Sequence, residues 1–263
     1  MPEEYMKTRA HLRNVVVVAA SLCSLVPNAR AQPALDADSQ SVMTAMSHYL
    51  GELQSFSADY AAVDEVITAE GQKLQFLHSG EIVMQRPDRF YATRRGAAGV
   101  AEVFLDGKTL TLYSKTANAY LQFVAPSIDA AIVVLHNIGF DAPGADLLVS
   151  KPLDPATTDF NSGAHIGMTL IDGGEVHQLA FRGNDVDWQL WLTVGDKPLP
   201  LRYAVTTMQM AGAPEFTLQL RNWNTAPKID PARFTFAPPA GAKKLDPDSV
   251  TINAIGDMSF TGK

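Results

Sequence analysis

Cysteine is the scarcest residue in this chain. There is one, Cys23, in 263 residues, and it lies inside an N-terminal stretch that reads as a cleavable leader. Beyond that stretch no disulfide, thiolate nucleophile or cysteine metal site can form. Histidine is thin as well: His48, His78, His136, His165 and His177 follow the leader, and no pair stands at H-x-x-x-H spacing. Neither G-x-S-x-G nor H-E-x-x-H occurs. Gly163, Gly167, Gly173 and Gly174 make no phosphate-cradling pattern and read as turns. With no assembled nucleophile, base or metal set, catalysis is the least favoured class of function, and neither cofactor nor metal is expected. No run after the leader approaches the ~18 apolar residues of a membrane span.

The leader itself has three parts. Lys7, Arg9 and Arg13 form a basic start, residues 15–26 an apolar run, and Ala29-Arg30-Ala31 a small-residue cleavage site, so 1–31 is expected to be a signal peptide and the mature chain to be periplasmic. Met6-Lys7-Thr8-Arg9 also resembles a translation start, which leaves Met1 and Met6 as alternatives. Lipidation at Cys23 is disfavoured, because bulky Leu22 stands where lipoprotein signals want a small residue. Cleavage leaves residues 32–263 as about one large domain. It removes four cationic and two acidic side chains, which shifts the formal charge from −7 to about −9. An acidic body argues against nucleic acid and against adhesion to anionic membranes, so at most transient membrane contact is expected.

Residues 36–53 place Val42, Met43, Met46, Tyr49, Leu50 and Leu53 at three- and four-residue spacings, which predicts an amphipathic helix capped by Asp36 or Asp38. Alternating strands separated by short turns follow up to Val124. Pro126 then opens an apolar insertion, residues 127–150, with Ile128, Ala131, Ile132, Leu135 and Ile138 on one helical face and a second short helix predicted over 145–150. Strands resume at Ala164 and run to Leu220, one of them predicted over 201–210, and a tail occupies 246–263. The fold class is mainly β (α+β): antiparallel strands with an N-terminal helix and a helical insertion covering one sheet face. The acidic pairs Asp64-Glu65 and Asp185 with Asp187 read as solvated strand ends. Met168, Met208 and Met210 read as core.

Strand parity singles out one arginine. Leu74, Phe76, His78, Gly80, Ile82 and Met84 share a face because side chains alternate with period two, and Arg86 has the same parity at the end of that row, just before Pro87. Three roles stay open for it: capping backbone carbonyls at the proline kink, gating a cover, or binding a ligand carboxylate or phosphate.

Four segments carry a family resemblance. Leu53-Gln54-Ser55-Phe56-Ser57-Ala58-Asp59-Tyr60, Gln85-Arg86-Pro87-Asp88-Arg89-Phe90, Asp106-Gly107-Lys108-Thr109-Leu110 and Arg233-Phe234-Thr235-Phe236-Ala237-Pro238-Pro239-Ala240-Gly241 resemble, in order, segments of the lipoprotein-localisation carriers LolA and LolB. A group of predicted periplasmic proteins of unknown function sharing that fold is the nearer match. The resemblance implies an incomplete antiparallel β-barrel, a half-barrel whose concave face is plugged by helices over an apolar cavity for acyl chains. Carried over, Arg86 becomes the latch of a lid formed by 127–150. The cavity and lid would involve Phe76, His78, Ile82, Met84, Phe104, Leu112, Ile128, Ile132, Leu135 and Trp188. The implied function is non-catalytic binding of a hydrophobic ligand, either a lipid or a lipoprotein acyl chain. The alternative is a protein-interaction or envelope-sensor module on the same fold, with an envelope protein as partner.

Overall fold

The computed structural model describes residues 35–97, 99–140, 144–253 and 259–262, with side chains described up to residue 248. Those residues lie in the compact unit Pro33–Lys263. The expected signal peptide, Cys23 and both candidate start methionines lie outside the described residues.

The first element, α1 (Ala37–Glu52), begins where Asp36 accepts a 2.7 Å hydrogen bond from the Ser39 N–H and satisfies one of the helix's orphan donors. Its Met43, Met46 and Leu50, three and four residues apart, are fully buried. A six-stranded meander follows: β1 (Ser55–Ile67), β2 (Lys73–Gln85), β3 (Arg89–Gly96), β4 (Gly99–Asp106), β5 (Thr109–Ser114) and β6 (Ala119–Val124). Then comes α2 (Ile128–Asn137), capped by Ser127, and a single 3₁₀ turn, Ala145–Leu147. A second meander comprises β7 (Ser162–Ile171), β8 (Gly174–Arg182), β9 (Val186–Thr193), β10 (Pro200–Thr207) and β11 (Glu215–Asn224). After a 3₁₀ turn at Pro231–Phe234, β12 (Lys243–Lys244) pairs parallel with β6, and β13 (Val250–Asn253) and β14 (Ser259–Gly262) form a separate two-stranded sheet.

Twelve strands make one curled, open sheet in the order β12-β6-β5-β4-β3-β2-β1-β11-β10-β9-β8-β7. The expected half-barrel is therefore the observed architecture: the two antiparallel meanders are joined where β11 pairs with β1, and the sheet does not close on itself. This order has a consequence for the insertion. β6 and β7 are consecutive strands, yet they lie toward opposite ends of the sheet. The chain between them must cross the sheet, and its apolar Ile128, Ala131, Leu135, Leu147 and Leu148 join α1 and the inward rows of both meanders in one buried cluster. The other face carries a small cluster of Val83, Tyr91 and Phe234, with Phe104 packed against it.

Three expectations need correction. β10 ends at Thr207, because residues 208–214 turn, with the Thr207 N–H on the Pro214 carbonyl and the Ala213 N–H on the Met210 carbonyl. Met208 and Met210 are consequently exposed, as is Met168 on edge strand β7, so none of the three is core. The second insertion helix shrinks to one 3₁₀ turn opened by Gly144 at φ +93°, a left-handed conformation that cannot continue a helix. Among the described residues no helix is long and apolar enough to cross a membrane.

Candidate functional site

Between the sheet and the insertion lies a cavity of about 130 Å³. Its apolar walls are Ile82, Phe90, Ala92 and Val103 from the first meander, Phe216 and Leu218 from β11, and Ile132, Leu135, Phe140 and Leu148 from the covering segment. A polar wall is made by Tyr60, Asp64, His78 and Arg94.

Arg86 lies where the cover meets the sheet. Its Nη1 donates to the Leu148 carbonyl at 3.0 Å and its Nη2 to the Leu50 carbonyl at 3.3 Å, so one guanidinium joins α1 to the residue after the 3₁₀ turn. The adjoining backbone is tied too. The Arg86 N–H donates to the Gln54 carbonyl at 2.8 Å, and Ile128 at the start of α2 donates its N–H to the Pro87 carbonyl at 3.0 Å across the cis Arg86–Pro87 junction. Asp129 closes the loop by accepting from the Ser150 N–H at 2.9 Å and the Ser150 hydroxyl at 2.6 Å. Burial pulls the Arg86 pKa below its ordinary value, and the nearby Asp129 charge opposes that shift.

The polar wall is built from three neighbouring strands. Asp64 Oδ2 on β1 lies 3.0 Å from Arg94 Nη2 on β3 and 3.2 Å from His78 Nδ1 on β2, while Arg94 Nη2 and His78 Nδ1 are 3.2 Å apart. The side chains of Asp64, His78 and Arg94 retain 21%, 9% and 14% of their exposure, so the cluster is largely shielded from water. Beside it the Tyr60 hydroxyl donates to the Thr93 carbonyl at 2.8 Å, and burial raises the Tyr60 pKa. Gly80 makes this possible: a Cβ there would stand 1.8 Å from the Thr93 carbonyl oxygen and 2.8 Å from the Tyr60 ring.

Of the residues singled out from sequence, His78, Ile82, Ile132 and Leu135 line the cavity, and Arg86 holds the carbonyl of Leu148, which also lines it. Met84, Leu112, Ile128 and Trp188 are buried in the surrounding core instead; Trp188 stacks on Phe181 at 3.8 Å and meets Tyr203 edge-on. Phe76 is a correction: it lies opposite Asp64 near the start of β2, outside the cavity lining, and is 38% exposed. Phe104 is another. It pairs with Tyr91 on β3, and both have the parity of the opposite sheet face, where Phe104 packs at tilted ring angles against Tyr91 and Phe236. Asp64 is a third, a shielded member of a charge cluster rather than a solvated strand end. The signal for the missed Asp64 and Arg94 was available: Asp64 has the parity of Phe56, Ala58 and Ala62, and Arg94 that of Phe90 and Ala92, the same count that picked out Arg86.

Residues 39–246, from α1 to just past β12, match the family model described as "Predicted periplasmic protein (DUF2092)". The chain belongs to this family. The DUF2092 description puts the protein in the periplasm, the compartment the leader led one to expect. Among solved structures this DUF2092 chain is similar to an uncharacterized conserved protein from Thermus thermophilus (10% identity, TM-score 0.48, 79% of this chain and 98% of that one). It is also similar to LprF from Mycobacterium bovis (14%, 0.48, 75% and 97%) and to a LolA superfamily protein from Nitrosomonas europaea (11%, 0.40, 75% and 97%). No curated protein matches it.

Proposed function

We propose that this protein binds a hydrophobic ligand without catalysis, a lipid or a lipoprotein acyl chain, and that residues 127–150 act as a lid latched by Arg86. The observation that carries this reading is the pair of hydrogen bonds from Arg86 to the Leu148 and Leu50 carbonyls, since Leu148 lines the cavity and the latch therefore controls one of its walls. At about 130 Å³ the cavity is smaller than the roughly 300–1,000 Å³ of ligand pockets, so on this reading a full acyl chain enters only when the lid moves. The energies allow it. Hydrogen bonds to a charged group are worth about 1.5–3 kcal/mol each, whereas burying a dozen methylenes at ~0.8 kcal/mol each supplies roughly 10 kcal/mol before binding costs.

Native mass spectrometry of protein purified gently from the periplasm is expected to show co-purifying lipid, and the delipidated protein to take up a fluorescent fatty acid. Neither lipid nor uptake in repeated preparations sinks the proposal. Arg86→Leu is expected to speed ligand release; a variant that only loses stability removes the latch from it.

A second reading rests on edge strand β7, whose exposed Ile166, Met168 and Leu170 lie along an outer sheet edge that Leu35 and Asp36 engage at Gly163 and His165. Recovery of one stoichiometric envelope protein without lipid favours that reading over the first.

A further inference from the structure

The cavity has a polar wall that an apolar ligand does not use. Three ionisable side chains converge there on essentially one point: Asp64 Oδ2, Arg94 Nη2 and His78 Nδ1 stand within 3.0–3.2 Å of one another. A purely structural ion pair needs two partners. The third creates a conflict, because His78 Nδ1 faces both a donor, the Arg94 N–H, and an acceptor, the Asp64 carboxylate. With a lone pair on Nδ1 the ring accepts from Arg94 and gives nothing to Asp64. With a hydrogen on Nδ1 it donates to Asp64 and gives nothing to Arg94. The cluster thus has two arrangements, and in the second Arg94 keeps its bond to Asp64 Oδ2 but loses His78 as an acceptor, which frees one N–H for another.

We infer that Arg94 is the head-group site for an anionic single-chain amphiphile of the fatty-acid type, its carboxylate against the guanidinium and its chain along Ile82, Val103, Ile132 and Leu135. This deepens the proposed function and rests on it. The exchange conserves hydrogen bonds: the incoming carboxylate takes the Arg94 N–H groups, and the Asp64 oxygen they leave is picked up by His78 Nδ1–H. A guanidinium suits this role because its planar fork presents parallel N–H groups to a carboxylate and stays charged in a shielded site. Asp64 serves as the internal counter-ion that keeps Arg94 in place while the cavity is closed, and it also sets a limit on affinity, since it repels the head group that replaces it. The cluster lies on the strands that supply the apolar wall, so head and chain meet one continuous surface. It is also far from the latch: His78 on β2 and Arg86 just past that strand's end are eight residues apart, about 26 Å of extended chain.

The test separates head from chain. Tetradecanoic acid and its methyl ester have the same hydrocarbon, and each would be used to displace the uncharged fluorophore 1-N-phenylnaphthylamine from the delipidated mature protein. The acid is expected to bind at least tenfold more tightly than the ester. Arg94→Gln should remove that preference by weakening the acid to the ester's affinity, and Asp64→Asn should tighten acid binding severalfold by deleting the competing carboxylate. Inorganic phosphate alone should leave the fluorophore in place. Equal affinity for acid and ester in the unmutated protein, or an acid preference that survives Arg94→Gln, overturns the head-group site and leaves the apolar-ligand reading standing. Displacement by phosphate alone overturns it in favour of a free-anion site. If neither acid nor ester displaces the fluorophore, the apolar-ligand reading falls and the head-group site falls with it. Should Arg94→Gln fail to fold, Asp64→Asn decides, because an unchanged or weakened acid affinity in that variant is equally fatal.

Discussion

Two arginines share the inward parity of neighbouring stretches of this sheet, and their partners differ in kind. Arg86 donates to main-chain carbonyls, those of Leu50 and Leu148. Arg94 donates to side chains that can ionise or change tautomer, Asp64 and His78. A carbonyl at the end of a helical turn keeps its acceptor role at every pH and in almost every sequence, so the Arg86 bonds can be broken only by moving the segment that carries them. A carboxylate or imidazole can be replaced by a ligand without any backbone movement. The first arrangement suits a latch and the second suits a recognition site, although the residue type is the same.

The sharpest way to break this contrast is Arg86→Leu. It leaves two shielded carbonyls without their donor, and a loss of about 3 kcal/mol is expected, or roughly 6–12 °C in the melting midpoint of a domain this size. A loss under about 1 kcal/mol by calorimetry would mean that water satisfies those carbonyls and that the latch holds nothing. Next comes Gly80→Ala, which places a methyl group where the Thr93 carbonyl now stands. Overpacking against backbone is expected to cost about 1–3 kcal/mol, and because it displaces the strand that bears Arg94 it should disturb acid binding more than ester binding.

Smaller still is the stability cost at the other arginine. Because the Gln amide can still donate to Asp64, Arg94→Gln should lose only about 1 kcal/mol, and a double-mutant cycle with Asp64→Asn should give a coupling energy of similar size. A coupling as large as the Arg86 effect would make Arg94 a second structural clamp and erase the distinction drawn here.

The smallest effect expected concerns pH. His165 Nε2 and His177 Nδ1 lie 3.0 Å apart, and burial first, with the His165 charge second, lowers the His177 pKa from its ordinary 6.5. The folded state thus binds its proton more weakly than the unfolded chain. The resulting contribution to stability is complete above pH 6.5 and is lost as pH falls through that value toward the depressed folded one. Thermal melts of His177→Gln should run parallel to the unmutated protein above neutrality and lose less stability on acidification. The Arg86→Leu deficit should stay constant over the same range, since carbonyl acceptors do not titrate.

Much of this molecule was written in its local pattern. Three- and four-residue spacing marked α1 and the buried face of α2, and Asp36, one of the two caps expected for α1, holds its first turn, because a helix's periodicity and its first-turn donors are local properties. Period-two counting put Ile82, Met84 and Arg86 on the inward face of β2 for the same reason. Where the counting failed, a non-local fact had intervened. Phe76 has the right parity but lies near the start of β2 and is exposed, and Phe104, placed at the cavity through the resemblance, is held by its register opposite Tyr91 on the other face. Met208 and Met210 sit in a turn whose position depends on how β10 pairs with β11.

The sequence by itself determined which elements form and which way each strand's side chains point, since both follow from backbone geometry within a few residues. Only the tertiary structure decided what those side chains meet. Placing β6 and β7 toward opposite ends of one sheet sent α2 and the following 3₁₀ turn across its face and brought the Leu148 carbonyl to Arg86 from 62 positions away. Pairing β1, β2 and β3 side by side drew Asp64, His78 and Arg94 together from 30 positions of chain. Such contacts depend on strand order and register, which are settled by the packing of the whole sheet rather than by any one stretch of it.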